Sequence, residues 1–395
     1  MHVALLSHEY PPFIFGGVGT FVENLANGLS MQGLRVTVIS GRPMPHPGQQ
    51  CDNGSNDVSE ISVIRYRYPN IPPRHITFQV FNQKKISNIV RHIEADIVHG
   101  QGGSTFPALL SLKHQTPTLV TFHSNPKMEK TMSLLSLTRG GNIGDFYTFV
   151  MGYPVWAYTY RKELECCDVA VAVSRTLKEE LTTRTASYIQ QKIFTIHNGV
   201  NIEKLEKEHR NASCNDETNH IILFAGRFFW RKGVLNLLRL AHFLQEKHPI
   251  DLKIVVHGSG PLYNRMKNEI SQHGLRNIIL KGFTTRDELM RSMRRAVFVV
   301  IPSFYEACPM ILLESMCLGK IPITFNLPYA TELTKNGRYG IIARNVEDMA
   351  AKIKFAYDKL DLKKLGKNIS RFAKSEYDIR KTALKYQDLY RKIAG

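Results

Sequence analysis

Residues 303–314 read S-F-Y-E-A-C-P-M-I-L-L-E, and this stretch decides the fold around it. An apolar, β-rich run of residues 296–301 leads into it, and residues 310–318 have the composition of a helix. Pro302 is expected to end the strand. Pro309 suits the first helical position, where proline's missing N–H would have no intrahelical partner. The stretch therefore predicts a strand, a tight turn and a helix N-terminus.

This turn has the properties of an anion site between two carboxylates. A helix N-terminus directs unpaired backbone N–H groups and the positive end of the helix dipole at one point. Glu306 precedes the helix and Glu314 lies on it. Carboxylates repel an anion and bind hydroxyl groups, so the pattern describes a sugar nucleotide, with a diphosphate between ribose and hexose. The alternative is a helix entry with two solvated acidic residues.

Length and composition indicate a globular protein of two domains. The 395 residues exceed one ordinary core, and 43% hydrophobic with 22% charged residues is typical of globular chains. No apolar stretch approaches the roughly 18 residues that suggest a membrane span, and the N-terminus lacks the basic region of a signal peptide. The six cysteines include no C-x-x-C pair, which favours the reducing cytoplasm.

The formal net charge of +18 is the unusual global feature, and most of the excess follows about residue 205. It suits an anionic membrane surface or an anionic acceptor, and the alternative is solubility alone. Nucleic acid is not an expected partner, because the chain has no recognition motif. We expect a cytoplasmic protein, and the charge admits a peripheral contact with the inner face of the membrane.

Strand-like and helix-like runs alternate along the chain, which predicts an α/β protein with parallel sheets. One series begins with residues 2–7, a glycine-rich loop, a helix and residues 34–40. A second series begins at residues 221–225. Between them lie Asn198-Gly-Val-Asn201 and the polar residues 203–219, which have the composition of a linker. The sequence therefore predicts two Rossmann-like domains.

Loops after three strands of the second series suit a nucleotide. Arg227 and Lys232 lie with two glycines at a strand-to-helix junction, which suits a diphosphate. Gly258 and Gly260 form a second turn that permits close backbone approach, and Phe283 follows a third strand. Taken singly, the two later turns are equally consistent with ordinary βα connections, and the alternative for Arg227 and Lys232 is that they are ordinary cations of an exposed loop.

In the first series, glycines and histidines mark the corresponding edge. Gly16 and Gly17 permit close approach of the backbone to a ligand, or form a simple turn. His99 and His123 lie at the ends of two predicted strands, and open α/β sheets bind ligands at the carboxyl ends of their strands. His123 is interpreted either as a functional residue or as a histidine satisfied within the core.

Glu306 and Glu314, with seven residues between them, resemble the E-x7-E motif of glycosyltransferase family 4. The resemblance extends over nearly the whole chain and implies the GT-B fold, with two Rossmann-like domains whose parallel sheets face across a cleft. It implies an acceptor-side domain at residues 1–200 and a nucleotide-sugar-binding domain at 201–375. Residues 376–395 would form a last helix that packs back on the first domain.

The resemblance also implies a reaction. The family transfers a hexosyl group, with retention, from a nucleoside-diphosphate sugar to an acceptor hydroxyl, here of a lipid-linked or glycan acceptor. The chain has no Asp-x-Asp triplet and no His/Cys cluster with ligand spacing, so we expect neither a metal nor a cofactor beyond the donor. Nucleotide-sugar epimerases share the fold, and a non-catalytic nucleotide-sugar-binding protein is a further alternative.

Residue roles follow from the same resemblance. Arg227 and Lys232 match the family's phosphate-binding pair, Glu306 would hold sugar hydroxyls and Glu314 the ribose. His123 matches a strand-end histidine beside the donor sugar, although Ser124 replaces the aspartate that often follows it. Catalytic roles are implied for His123, Glu306, Arg227 and Lys232. Substrate-binding roles are implied for Gly16, Gly17, Arg227, Lys232, Gly258, Gly260, Phe283, Glu306, Met310, Ile311 and Glu314.

Residues 125–162 resemble the family least. An aromatic run there contains Phe146, Tyr147, Phe149, Tyr153, Trp156, Tyr158 and Tyr160. An exposed run would suit a membrane interface or a lipid acceptor, and a buried one would be helix packing. The sequence leaves both alternatives open.

Overall fold

A computed structural model describes residues 1–44, 61–71, 74–103, 105–112, 115–138, 153–183, 185–212 and 221–395. Within these ranges the chain forms two compact units. The first unit takes in Met1–Lys130, Tyr147–Asn201 and Tyr377–Gly395, and the second Thr131–Phe146 and Ile202–Glu376, as far as these residues are described.

The first unit is built on a parallel sheet. Its strands are β1 (His2–Ser7), β2 (Arg35–Met44), β3 (Ile61–Pro69), β4 (Ile97–Gln101), β5 (Thr118–Phe122), β6 (Val169–Ala172) and β7 (Ile193–Thr195). They pair in the order β3-β2-β1-β4-β5-β6-β7. Every residue of β1, β4 and β5 is buried, as expected for a parallel sheet covered on both faces. The strand order reverses between β1 and β4, and ligands bind at such a switch point.

The second unit repeats this plan. Its strands are β8 (Ile221–Ala225), β9 (Lys253–His257), β10 (Ile278–Gly282), β11 (Ala296–Ile301), β12 (Ile321–Phe325) and β13 (Ile341–Ala343). They pair in parallel in the order β10-β9-β8-β11-β12-β13. The order reverses between β8 and β11, so the loops that carry Lys232 and Glu306 leave the sheet at its switch point.

Helices connect the strands. In chain order they are α1 (Gly17–Met31), α2 (Arg74–His92), α3 (Phe106–Leu112), α4 (Pro126–Thr138), α5 (Tyr153–Cys166), α6 (Arg175–Thr182), α7 (Ser187–Gln191), α8 (Ile202–Asn211), α9 (Val234–Glu246), α10 (Tyr263–Gln272), α11 (Arg286–Arg295), α12 (Met310–Cys317), α13 (Pro328–Leu333), α14 (Val346–Lys359), α15 (Leu362–Tyr377) and α16 (Ile379–Ala394).

The last helix, α16, belongs to the first unit. It crosses α1 at Gly28, where an added Cβ would lie 2.7 Å from Ile379, so glycine permits the close approach. Tyr386 and Tyr390 extend from α16 into the sheet and are buried. The Tyr386 hydroxyl lies 2.9 Å from Thr121 Oγ1, which fixes the helix near the carboxyl end of β5.

The polar residues after Asn201 differ from the prediction. Residues 203–219 were expected to form a linker, but α8 spans Ile202–Asn211, and residues 213–220 lie outside the described residues. Charged side chains four residues apart face each other along α8, as in the pairs Lys204–Glu208 and Arg210–Glu206, and Leu205 is buried. Such pairs support a helix despite its polar composition.

The aromatic run is described only in part, since Phe146, Tyr147 and Phe149 lie outside the described residues. In the remaining part, α5 has two different faces. Tyr160 is buried and its hydroxyl donates to the Ser124 carbonyl oxygen, whereas Tyr158 is 56% exposed. This helix therefore both packs on the core and presents an aromatic ring to solvent.

Candidate functional site

The predicted strand, turn and helix around Glu306 are present. Pro309 was predicted at the first helical position, but it occupies the N-cap, where its backbone is extended with φ −69° and ψ 124°. The Leu312 N–H donates to the Pro309 carbonyl oxygen at 3.1 Å and begins the helical ladder. The N–H groups of Met310 and Ile311 precede that bond, and the first turn contains no acidic residue, so this terminus suits an anion.

Lys232 and Glu306, which come from different loops, form a hydrogen-bonded ion pair. Glu306 Oε1 also accepts a hydrogen bond from Ser303 Oγ at 2.8 Å. The side chains of the pair are only 22% and 10% exposed. Burial opposes ionisation of Glu306, but the charges of Lys232 and Arg231 and the two hydrogen bonds hold its pKa below the ordinary value. Burial also lowers the pKa of Lys232, which Glu306 offsets in part.

The loop after β8 packs closely on the end of β11. Gly233 has φ +66°, and a Cβ there would lie 1.8 Å from the Pro302 carbonyl oxygen, so only glycine fits. The Phe304 N–H donates to the Arg231 carbonyl oxygen at 2.8 Å, and the Phe304 ring stacks on Trp230 at 4.5 Å. These contacts fix the two loops that carry Lys232 and Glu306.

Gly258 and Gly260 were predicted to lie near a ligand, and the packing of the loops also requires glycine at both positions. A Cβ on Gly258 would lie 1.9 Å from the Gly226 carbonyl oxygen, and one on Gly260 would lie 2.9 Å from the Phe228 nitrogen. Both glycines have positive φ. They bring the β9 loop against the β8 loop that carries Arg227, so close packing between loops explains the glycines before any ligand is considered.

Glu314 is bound by Arg286, a residue that no sequence motif predicted. Arg286, at the start of α11, holds both carboxylate oxygens of Glu314, at 2.9 and 3.2 Å. Arg286 Nε also donates to Glu208 Oε2 at 2.9 Å, so the guanidinium joins α11 to α8 and α12. Glu314 is buried, and the two carboxylates raise the pKa of Arg286 against the effect of burial.

Arg227 and Phe283, two further predicted residues, are exposed. The Arg227 guanidinium lies 5.3 Å from the centroid of the Phe229 ring. Phe283 follows Gly282, which has φ +74°, and 84% of its surface is accessible. An aromatic ring exposed to this extent at the end of a strand is a surface on which a planar group can stack.

In the first unit, the glycine-rich loop wraps a carboxylate. Glu9 Oε2 accepts hydrogen bonds from the N–H groups of Phe15 at 3.1 Å, Gly16 at 2.9 Å and Gly19 at 3.3 Å. Glu9 is buried at the N-terminus of α1, where a negative charge complements the helix dipole. A phosphate at the Gly16 N–H would have to displace Glu9; roles for Gly16 and Gly17 in substrate binding remain predictions.

His123 follows β5 and contacts the end of β4. Its Nε2 lies 2.8 Å from Gln101 Oε1, and the Phe21 ring meets it edge-on at 4.8 Å between centroids. Burial lowers the pKa of His123 to about 4, and Glu9 offsets only part of this effect. The imidazole is therefore neutral at pH 7.

His99 is satisfied within the core. Its ring nitrogens lie 2.6 Å from the Tyr390 hydroxyl and 2.8 Å from Thr121 Oγ1. Burial lowers the pKa of His99 to about 3. Of the two strand-end histidines, His99 is thus structural.

The structure brings the predicted residues of the second unit to one edge of its sheet, with Lys232 directly on Glu306. Over the described ranges, no three His, Cys, Asp or Glu side chains gather as a metal site would require. In the same part of the chain, no helix is both long and apolar enough to span a bilayer.

Comparison with known proteins matches both halves of the chain to family models. The Glycosyltransferase Family 4 model matches residues 15–204, and the Glycosyl transferases group 1 model matches residues 206–375. An uncharacterized glycosyltransferase of Methanocaldococcus jannaschii is 28% identical over 86% of this chain and 84% of its own length.

Two solved structures share the fold. Sucrose-phosphate synthase from Thermosynechococcus elongatus has a TM-score of 0.74 at 18% identity and covers 99% of this chain and 98% of its own. Anabaena HepE, in complex with UDP-glucose, has a TM-score of 0.68 at 15% identity and covers 99% of this chain and 100% of its own.

Proposed function

Since this chain belongs to the group 1 glycosyltransferases and has their GT-B fold, we propose that it is a retaining hexosyltransferase. The donor is a nucleoside-diphosphate sugar, the acceptor is a hydroxyl of a glycan or a lipid-linked molecule, and no metal takes part. The observation that carries the proposal is the largely buried ion pair of Lys232, in the loop between β8 and α9, with Glu306, in the loop that leads to the start of α12.

The second unit supplies cations for the diphosphate. Lys232, Arg227 and the N–H groups of Met310 and Ile311 stabilise the negative charge that grows on the leaving oxygen. Because Lys232 is held on Glu306, it needs no large rearrangement to meet a phosphate. These groups do here what a divalent metal does in other transferases, which is the basis for proposing metal independence.

Glu306 and Glu314 contact hydroxyl groups in this proposal. Both contacts of Glu306, with Lys232 and with Ser303, use Oε1, which leaves Oε2 for a hydroxyl of the donor hexose. Glu314 accepts from the ribose with its remaining lone pairs, and Arg286 holds the carboxylate in place. Phe283 gives the nucleobase a ring on which to stack.

The chemical step follows from these contacts. The bond between the anomeric carbon and the diphosphate breaks as positive charge develops on the hexose. The acceptor hydroxyl attacks from the leaving-group side and gives its proton to the departing phosphate oxygen, so the configuration is retained. His123, neutral and half-buried, contacts the donor sugar without acting as a nucleophile.

A screen of nucleotide sugars tests the proposal. Binding to the folded state raises the thermal midpoint, so the donor is the nucleotide sugar that shifts it most, and UDP-glucose is the first to try because HepE binds it. The product analysis then decides between classes. Transfer yields a nucleoside diphosphate and a glycosylated acceptor, an epimerase yields an isomerised donor, and a binding protein yields neither.

The positive charge supports an acceptor at an anionic membrane. The chain has a formal net charge of +18 and contains 52 Lys and Arg residues. Helices α15 and α16 are rich in lysine, and α5 presents Tyr158 to solvent. Basic surfaces and exposed aromatic rings both favour binding to an anionic lipid interface.

A further inference from the structure

Gln101 is buried against His123 at the switch point of the first sheet. It is the last residue of β4 and 1% exposed, and it is paired in register with Thr121 of β5. His123 begins the loop after β5, so two neighbouring parallel strands deliver the two side chains to one edge. Gln101 Oε1 lies 2.8 Å from His123 Nε2.

This contact selects one form of the imidazole. A neutral histidine has one N–H, and the partner of one ring nitrogen decides where the proton is. Since an amide oxygen only accepts, Nε2 carries the proton and donates to Gln101, and Nδ1 keeps a lone pair. Phe21 covers the ring, while Glu9 and His99 are the titratable groups whose charges act on this pair.

The other end of the same amide is unsatisfied. Gln101 Nε2 is buried and finds no hydrogen-bond partner among the residues that the structure describes. A buried donor without a partner is unfavourable, and such groups in native proteins call for an explanation. A bound ligand that brings an oxygen to this N–H removes the penalty.

We propose that Gln101 is a positioning residue for His123 in glycosyl transfer: its amide oxygen fixes the imidazole as the Nε2–H tautomer, and its amide N–H donates to an oxygen of the bound sugar. The contact between the Gln101 amide N–H and the sugar rests on the proposed function. The tautomer of His123 is a property of the protein without substrate and can be tested in its absence.

Nitrogen-15 NMR of histidine-labelled protein tests the tautomer, with His123→Gln assigning the signal. At pH 7 we expect a neutral ring protonated almost entirely on Nε2, and Gln101→Met should lower that share towards the tautomer mixture of a free neutral histidine. Gln101→Glu should keep the proton on Nε2 and move the titration of His123 to higher pH, because a carboxylate stabilises the imidazolium. A charged ring, an Nδ1–H ring, or an unchanged signal in Gln101→Met overturns the proposal.

Kinetics separate positioning from folding. With UDP-glucose as donor, Gln101→Met should lower kcat by about a hundredfold, the loss that an ångström of misplacement in an active site can produce. Its affinity for UDP should stay at the wild-type value. Equal loss of kcat and of UDP affinity would show that Gln101 is only structural and overturn the proposal.

Asn82→Leu is the matched control. Asn82 is a buried amide of the same unit with one unsatisfied atom, and it bonds to the carbonyl oxygens of Arg67 and Phe78 at 3.2 Å. The Asn82→Leu variant should lose thermal stability, as Gln101→Met does, but should keep the wild-type kcat. A wild-type protein that turns over no nucleotide sugar would refute the proposed function, and the NMR result would still decide the tautomer.

Discussion

Replacing Lys232 by methionine leaves a buried carboxylate without its cation. The side chains of Lys232 and Glu306 are 22% and 10% exposed, so solvent screens the pair little. Removing one partner of a buried pair typically costs about 3–5 kcal/mol. Because the pair keeps some contact with solvent, we expect the lower end, a loss of about 3 kcal/mol in the free energy of unfolding of the second unit.

A double variant separates this loss from the loss of chemistry. Glu306→Gln in the Lys232→Met background removes the unpaired charge and keeps an acceptor for Ser303, so most of the stability should return. Transfer should not return, because losing one phosphate-stabilising group costs about a hundredfold or more in rate.

The pH dependence follows from the lowered pKa of Glu306. In the wild type, the ionised Glu306 contributes to the free energy of unfolding. This contribution is fully present above the pKa of an unfolded glutamate, about 4.3, and is lost as pH falls through the lower pKa of the folded state. In Lys232→Met the Glu306 carboxylate loses the cation that opposes the effect of burial, so its pKa rises and it takes up a proton at a higher pH. The difference in stability between wild type and variant should therefore be largest near neutral pH and already shrink as pH falls towards that of an unfolded glutamate.

Urea unfolding followed by tryptophan fluorescence measures these differences. The chain has two tryptophans, and Trp156→Phe leaves Trp230 of the second unit as the reporter. Lys247→Met is the control, because Lys247 and Glu347 form a pair with both side chains more than half exposed, which contributes little. If Lys232→Met unfolds at the wild-type midpoint, or the double variant is no more stable than Lys232→Met, the reasoning is wrong.

Four further outcomes are expected. Arg286→Ala should raise the KM for the donor about tenfold, since Glu314 loses the partner that orients it for ribose, and Glu208→Gln should not; equal effects in steady-state assays would contradict this. Arg227→Ala should weaken nucleoside diphosphate binding in calorimetric titrations and lower kcat about a hundredfold, whereas His123→Ala should abolish transfer and keep that affinity; the reverse pattern would refute the site. Transfer should survive excess EDTA, and loss of activity that Mn²⁺ or Mg²⁺ restores would disprove metal independence. The protein should sediment with anionic liposomes and be released by salt, and equal binding to neutral vesicles would argue for another acceptor.

The apolar runs and their spacing were enough to predict the alternation of strands and helices. The resemblance to glycosyltransferase family 4 predicted Glu306 and Lys232 as parts of one site, and the structure brings them together because β8 and β11 are neighbours in the sheet. Very short elements were missed even where they are apolar, because three residues do not make a recognisable pattern. Strand β13, at the edge of its sheet, has only three residues, of which Ile341 and Ile342 are half-buried.

Contacts between side chains distant in sequence could not be predicted. Arg286 and Glu314 are 28 residues apart, and nothing in the local pattern pairs them. The Gly16 N–H was expected to meet a ligand, and only the conformation of the loop shows that Glu9 already accepts from it. Gln101 could have been predicted, because it is a polar residue at the end of a buried strand. Only the histidines at the ends of β4 and β5 were considered as candidates there.

The central claim is transfer with retention from a nucleoside-diphosphate hexose, and it can be tested without knowing the acceptor. Water takes the place of the acceptor when the protein is incubated with UDP-α-glucose alone, and proton NMR during the first minutes identifies the anomer released. We expect UDP and α-glucose in equal amounts from the wild type, and a far lower rate of their release from Lys232→Met. Release of β-glucose would contradict retention, and conversion of the donor to another nucleotide sugar would contradict transfer.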